Sequence, residues 1–460
     1  MAKRLSASQR REVLALLAQG LDRKTIAARV GVTPGQVSAI SAHVTMGTYE
    51  LDSDQSTDVD VQSRERAAAV LKKARAPGQL DHATFEPVLI GNDSESSESV
   101  YWNPDPNGGA ANPHVLVLGE SGFGKTYAIC CLLTELAQRG ITSVVFDYAQ
   151  GFSLESAPPE FVKFARPVEL DAARDGININ PLQAYPFDLH GPVSVAQRVA
   201  DTFRRVYPGI GIQQHAILRE AVLDVLTPSA RTSKRPTNQL ESPPPFGELQ
   251  RRLDSYANDP ANPNRKLAAT VASHISTVFV FDTFRSNGQS LAWADMLRSR
   301  GRAFVIRLRG LEHSLEKAVT EFLLWNFIGF IESLGPGPLR CFVVLDEAHK
   351  LSFDIGSPAE KLLREGRKFG LGVILASQQP DDFSSVAFAN SATKLVFQVG
   401  DENSSVSRQI HRKIRNGHSF NDIYEIVTKL PRGWAYVVTE NVGRVASVAS
   451  LEERAKRWKR

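Results

Sequence analysis

The sequence predicts an α/β protein: a mostly parallel sheet covered by helices on both faces, preceded by a small all-helical unit. Three observations carry this prediction. Apolar runs of four to six residues alternate with helical stretches through most of the chain. One such run, Val115-Leu116-Val117-Leu118, opens into a glycine-rich turn and then a helical stretch. Residues 8–45 carry helical spacing punctuated by Gly20 and Gly31. At 460 residues and 42% apolar content the chain can bury a large core, and its net charge of +4 is too small to define a partner by itself.

From the N-terminus, Val13, Leu14, Leu16 and Leu17 give a first helix that Gly20 stops. Residues 23–30 read as a second helix with Ile26, Ala27 and Val30 on its apolar side, and Gly31 makes the turn. Thr33 is placed to cap a third helix with Pro34 at its first position. Helix, short turn, helix is the helix-turn-helix pattern. The third helix is the expected reader of a DNA groove, with Gln36, Ser38, Ser41 and His43 as its polar residues. Over residues 1–45, Lys3, Arg4, Arg10, Arg11, Arg23, Lys24 and Arg29 against Glu12 and Asp22 leave +5, as a DNA-binding unit requires. A small three-helix module for protein contacts is the alternative.

Residues 50–60 hold five acids and no base, a linker composition, and a short helix is expected over 64–73. Val88-Leu89-Ile90 and Val100-Tyr101-Trp102 flank the polar stretch 92–99 as a hairpin flanks its tip. Gly119-Glu120-Ser121-Gly122-Phe123-Gly124-Lys125-Thr126 then reads G-x-x-x-x-G-K-T. Glycines let backbone N–H groups turn toward phosphates, Lys125 reaches the β- and γ-phosphates, and the Thr126 hydroxyl ligates Mg²⁺. The chain is therefore expected to bind a nucleoside triphosphate. Further strands are expected over 143–146, 303–308, 341–345, 371–376, 394–399 and 434–438. Residues 208–265 interrupt the alternation, and the Ser-, Pro- and Thr-rich stretch 229–245 reads as a mobile surface insertion.

Phe342-Val343-Val344-Leu345-Asp346-Glu347 is an apolar strand ending in paired carboxylates. After a phosphate loop, such a pair supports the Mg²⁺ shell (Asp346) and polarises the attacking water (Glu347). The words Asp346-Glu347-Ala348-His349 also spell a helicase signature, but the 222 residues between Lys125 and Glu347 are too many for that class. Cys130, Cys131 and Cys341 have neither a disulfide framework nor metal-ligand spacing. The longest near-apolar stretch, 322–331, is broken by Asn326 and is about half the length that spans a bilayer. No signal peptide is visible, so a cytoplasmic protein without membrane contact is expected.

Asp346-Glu347-Ala348-His349-Lys350-Leu351, then Arg364-Glu365-Gly366-Arg367-Lys368-Phe369-Gly370, then Leu375-Ala376-Ser377-Gln378-Gln379-Pro380 resembles the HerA/FtsK superfamily of DNA-pumping ATPases, HerA and its VirB4-like relatives most of all. Pro113-His114 ahead of the loop, Val144-Val145-Phe146-Asp147 with Gly151, and Asn180-Pro181-Leu182 agree with it. The resemblance covers residues 85–450. It implies a RecA-like core assembled as a homo-hexameric ring, with ATP and Mg²⁺ held between subunits and DNA passing through the centre. It further implies that Gln378 senses the γ-phosphate or the catalytic water. Arg367, with Arg364 as second choice, would reach a neighbouring subunit as an arginine finger; both also suit a solvated helix face. Asp147 either stands near the Mg²⁺ or caps the turn after it. Three departures accompany the match: Gln379 stands where the family often has Arg, residues 80–112 are too few for HerA's small β-barrel, and FtsK-type membrane segments are missing.

The expected organisation is a helix-turn-helix unit over 1–48, with residues 23–44 contacting DNA, and a linker over 49–80. An ATPase domain follows over 81–450 with an insertion at about 208–265, and a basic tail over 451–460. The expected function is an ATP-driven DNA translocase or processing motor, with a nuclease or transfer protein as further partner. The alternatives are an ATP-gated DNA-binding regulator and a VirB4-like energiser of a transfer or secretion apparatus.

Overall fold

The computed structural model describes Val13, Leu16 and residues 23–45, 85–105, 111–227, 243–284, 291–379, 382–383, 385–400, 404–412 and 418–458. The acidic linker, the helix expected over 64–73, most of the stretch 229–245, and the side chains of Ser41 and His43 lie outside the described residues. The chain divides into two compact units, Met1–Ala83 and Thr84–Arg460.

In the first unit, α1 (Arg23–Val30) and α2 (Pro34–Thr45) are joined by a turn in which Gly31 takes a φ of 70°. Val13, Leu16, Ile26, Ala27, Val30, Val37 and Ile40 form its buried core, so the apolar positions read from the sequence face inward. Thr33 caps α2 as expected, through a reciprocal pair. The Gln36 N–H donates to Thr33 Oγ1 at 3.3 Å, and Gln36 Oε1 accepts from the Thr33 N–H at 2.9 Å. Gln36, expected among the groove-facing polar residues, is thus engaged in its own helix cap.

The second unit is built on an eleven-stranded sheet in the order β2-β1-β11-β10-β9-β3-β8-β7-β4-β6-β5. The strands are β1 (Val88–Asp93), β2 (Ser99–Trp102), β3 (Val115–Leu118), β4 (Thr142–Asp147), β5 (Val168–Asp171), β6 (Ala303–Arg307), β7 (Cys341–Leu345), β8 (Leu371–Ser377), β9 (Thr393–Val396), β10 (Trp434–Thr439) and β11 (Val442–Val448). From β9 to β5 all pairings are parallel; from β2 to β9 they are antiparallel. Every residue of β3, β4, β7 and β8 is buried, which is why these strands read as unbroken apolar runs. Alternate side chains go to opposite faces. Leu116, Leu118, Val343, Leu345, Val373 and Leu375 join one core; Val115, Val117, Phe342, Val344, Ile374 and Ala376 join the other.

The second of these cores is closed by α3 (Lys125–Gln138), whose residues 128–137 are all buried. The first is closed by α4 (Pro192–Val206), α5 (Ile212–Leu226), α6 (Glu248–Asn258), α7 (Arg265–Val280) and α8 (His313–Ser333). Within the interruption expected at 208–265, Leu218, Val222, Leu249 and Leu253 are fully buried in this core. Each such side chain contributes about 1.5–3 kcal/mol relative to exposure, so the helices on either side of 229–245 belong to the core. The apolar stretch 322–331 lies in α8 with Asn326 accepting from the Trp293 indole N–H at 2.6 Å. Among the described residues no helix is long and apolar enough to cross a membrane.

The expectation of a basic tail over 451–460 is corrected by a helix, α10 (Leu451–Trp458), seated on α3 and β1. Arg454 is fully buried: it donates to the carbonyls of Leu89, Ile90 and Ala449 and pairs with Glu135 of α3 at 3.2 Å. Its side chain converts what reads as a basic extension into a buried brace. Losing one member of such a buried pair costs about 3 kcal/mol or more. We therefore expect Arg454→Met to lower the urea midpoint markedly, while an unchanged midpoint would show that the brace is dispensable.

Candidate phosphate-loop site

The C-terminal ends of four adjacent parallel strands, in the order β3-β8-β7-β4, open on one edge of the sheet. β3 runs into residues 119–124, β8 into Gln378, β7 into Asp346 and Glu347, and β4 ends at Asp147. The structure therefore brings Lys125, Thr126, Asp346, Glu347 and Gln378 to one place, although 253 residues separate the first from the last (378 minus 125).

Glycine is required in the loop for two different reasons. Gly119 has a φ of 147°, and a Cβ there would stand 2.6 Å from the Cβ of Phe397. Gly124, at a φ of 108°, starts α3 without a side-chain cap, leaving the helix's first N–H groups to other partners. Lys125 Nζ folds back to donate to the carbonyls of Gly119 at 2.6 Å and Glu120 at 2.9 Å. Burial pulls its pKa down, against the attraction of Asp346, Glu347 and Glu120. Thr126 packs on Gly151, where a Cβ would come 2.6 Å from Thr126 Cγ2. The loop containing Gly151 is held by Asp147, which accepts from the N–H groups of Ala149 at 3.2 Å, Gly151 at 3.1 Å and Phe152 at 3.1 Å. Of the two readings of Asp147, the turn cap is the one its hydrogen bonds serve.

Asp346 is 4% exposed. Burial first, then the neighbouring carboxylates of Glu347 and Asp147, push its pKa up to about 7, with Lys125 opposing. Glu347 sits at φ 64°, ψ 65°, a left-handed conformation that costs a non-glycine residue about 1–3 kcal/mol. Its carboxylate accepts from Gln378 Nε2 at 3.4 Å and lies 3.3 Å from His349 Nδ1. The turn after β7 is tied to α8 by Lys350, which pairs with Glu316 at 3.1 Å. On β8, the Ser377 hydroxyl donates to Asp382, which also accepts from the Gln379 N–H at 3.3 Å. Sequence reasoning passed over His349, Glu316 and Asp382. For His349, its position two residues after Glu347 was the available signal.

Arg364 and Arg367 are not part of this assembly. They lie on α9 (Pro358–Glu365) and the following short turn, Gly366–Phe369, before β8 begins. The seven residues of β8 separate them from Gln378, roughly 20 Å of extended chain. Arg364 pairs with Glu360, and Arg367 donates to the carbonyl of Ala111. Both therefore occupy the opposite edge of the sheet from their own chain's phosphate loop.

The raised carboxyl of Asp346 has a sign-definite consequence. An ordinary aspartate loses its proton near 3.8, whereas this one keeps it to about 7 in the folded state. The folded chain thus binds the extra proton in that window, and stability of the nucleotide-free protein falls as pH rises through it. Asp346→Asn should stabilise the protein by on the order of 2–4 kcal/mol at about pH 8 and by little at about pH 4. A stability difference that does not change with pH would contradict the burial argument.

Residues 109–327 match the family model described as the central domain of helicase HerA. β7 and β8 lie beyond that segment, so their side chains are placed by geometry alone. The DNA double-strand break repair helicase HerA of Saccharolobus solfataricus is 23% identical over 301 residues, covering 62% of this chain and 54% of that protein. The chain thus spans about half the length of this curated relative. Among solved structures, VirB4 of Thermoanaerobacter pseudethanolicus aligns with a TM-score of 0.61 at 16% identity, over 79% of this chain and 96% of that one. The bacterial conjugative coupling protein TrwB in unbound form aligns at 0.51 and 15% identity, over 84% and 91%. TrwB in complex with the ATP analogue ADPNP aligns at 0.53 and 16% identity, over 74% and 87%. At these identities the structures speak for the fold. Taken with the segment match, they give the chain a RecA-like P-loop ATPase core that is similar, over residues 109–327, to the central domain of HerA.

Proposed function

We propose that the chain is an ATP-hydrolysing DNA motor of the HerA/FtsK type, working as a homo-hexameric ring in the cytoplasm and directed to DNA by its N-terminal helical unit. The observation that carries this reading is the meeting of Lys125, Thr126, Asp346, Glu347 and Gln378 at one sheet edge. The residues fit a magnesium nucleotide: glycines at positive φ, an uncapped helix start, and an ammonium occupied only with loop carbonyls. Among the described residues no cluster of three or more His, Cys, Asp or Glu could hold a metal by itself. A Mg²⁺ would therefore depend on phosphate oxygens besides Thr126 and Asp346. Bound ATP supplies the phosphoryl bond whose hydrolysis drives movement, and Mg²⁺ supplies the charge that offsets its phosphates.

The chain's own groups divide the remaining work. Of the loop residues Gly119, Glu120, Ser121, Gly122, Phe123 and Gly124, the first two already donate their N–H groups to the carbonyls of Ser377 and Gln398, so the last four offer theirs. Lys125 is the cation available once it leaves the carbonyls it now meets. Glu347 accepts the proton of water at its carboxylate, one oxygen of which meets Gln378 while the other is buried without a hydrogen-bond partner among the described residues. Gln378 reports the state of that position to β8. Arg367, with Arg364 as second choice, serves the site of a second copy, since its own lies across the sheet.

For the first unit, the support is the +5 charge of residues 1–45 and the capped α2 over a small apolar core. Residues 23–44 would contact DNA. The breadth of the likeness to VirB4 favours, as second reading, an energiser of a transfer or secretion apparatus.

Steady-state ATP hydrolysis with and without double-stranded DNA, at low and moderate salt, separates these. Stimulation by DNA of any sequence, weakening with salt, is expected for the motor. Hydrolysis indifferent to DNA would favour the energiser or an ATP-gated regulator. Glu347→Gln should retain ATP while turnover falls by about 10²–10⁴-fold, the usual worth of a general base. Normal turnover in that variant would remove Glu347 from the role.

A further inference from the structure

The strand that carries the phosphate loop begins, at its other end, in a tight set of hydrogen bonds. Asn112 Oδ1 accepts from the His114 N–H at 3.0 Å and from the Ala392 N–H at 3.1 Å. The His114 carbonyl accepts from the Thr393 N–H of β9 at 3.3 Å, and its ring Nδ1 accepts from the Val373 N–H of β8 at 3.1 Å. The Ala111 carbonyl accepts from Arg367. Acceptance at Nδ1 places the ring proton on Nε2, and the imidazole also bonds to the backbone of Leu363 in α9. With 1% exposure, burial first and the Arg367 charge second hold the ring's pKa down to about 4. His114 is thus a neutral ring in one tautomer, touching both elements that flank the Arg367 turn.

These contacts do more than close a strand end. An apolar side chain at position 114 would fill the same space but leave the Val373 N–H buried without an acceptor. β3 itself has four residues, all buried, with parallel neighbours on both sides.

We propose that Asn112 and His114 are positioning residues for Arg367: they fix the Ala111 carbonyl that holds the guanidinium, and so aim the arginine that each copy presents to a second copy. The inference rests on the reading of Arg367 as an arginine finger. It adds the device that aims the finger.

The test uses mixed assemblies of full-length chains. A donor carrying Glu347→Gln has a finger but no turnover, and an acceptor carrying Arg367→Ala has a site but no finger. Their mixture should hydrolyse ATP; if it does not, the finger reading fails and this inference goes with it. Adding His114→Leu to the donor should lower turnover about a hundredfold, the cost of misplacing a catalytic group by about 1 Å. The donor's own nucleotide affinity should be unchanged. Adding His114→Leu to the acceptor should leave turnover unaffected. Equal losses from both placements would show that His114 merely holds the fold, and no loss from either would show that it does not aim Arg367; each result overturns the proposal. His114→Asn in the donor, which keeps an acceptor for the Val373 N–H, should recover most of the activity, and failure to do so would count against the hydrogen bond as the device.

Discussion

The parallel pairing of β8 between β3 and β7 is the constraint on which the rest of the structure depends. Its register sets Leu118 opposite Ser377 and Leu345 opposite Leu375. One residue beyond the first pair come Gly119 and Gln378; one beyond the second, Asp346 stands level with Ala376, two residues below Gln378 and on the same side of the pleat. A register slip in either pairing would turn their side chains to the wrong face. Full burial of β3, β7 and β8 makes such slips costly, because each would expose a row of apolar side chains on both sides of the sheet.

The same block concentrates like charge where water is scarce. Asp147, Asp346 and Glu347 crowd one edge, and the raised carboxyl of Asp346 records the cost. Lys125 offsets part of it while spending its hydrogen bonds on loop carbonyls, and Glu347 holds a strained backbone. Stored strain and uncompensated charge of this kind suit a site completed by a polyanion and a cation. At the opposite edge, Arg364 pairs with Glu360 and Arg367 with the carbonyl of Ala111, away from their own chain's phosphate loop.

How much was legible followed from burial. The doubly buried strands β3, β4, β6, β7 and β8 were read from unbroken apolar runs, the carboxylates from their place at a strand end, Lys125 from the G-x-x-x-x-G-K-T pattern, and Gln378 only through the family resemblance. β5 was missed because it is an edge strand with partly exposed residues and no apolar run. β11 was missed because Val442-Gly443-Arg444-Val445-Ala446-Ser447-Val448 has neither an apolar run nor strict alternation, and because its connection to β10 puts Glu440 and Asn441 at positive φ with only Asn441 as a turn signal. The buried state of Arg454 could not be read from a basic stretch, since its partners Leu89, Ile90 and Glu135 are more than three hundred residues away. Gln36 was read only as a groove residue, and its contact with the Thr33 cap emerged from the structure. The edge on which an arginine falls is likewise set by strand direction, which no local pattern contains.

The most direct test of the central claim is a calorimetric titration with a slowly hydrolysed ATP analogue and Mg²⁺, comparing the unmodified chain with Lys125→Ala. Saturable binding by the first and its loss in the second is the expected result. Equal affinity in the two would mean that the loop at residues 119–126 is not where the nucleotide sits.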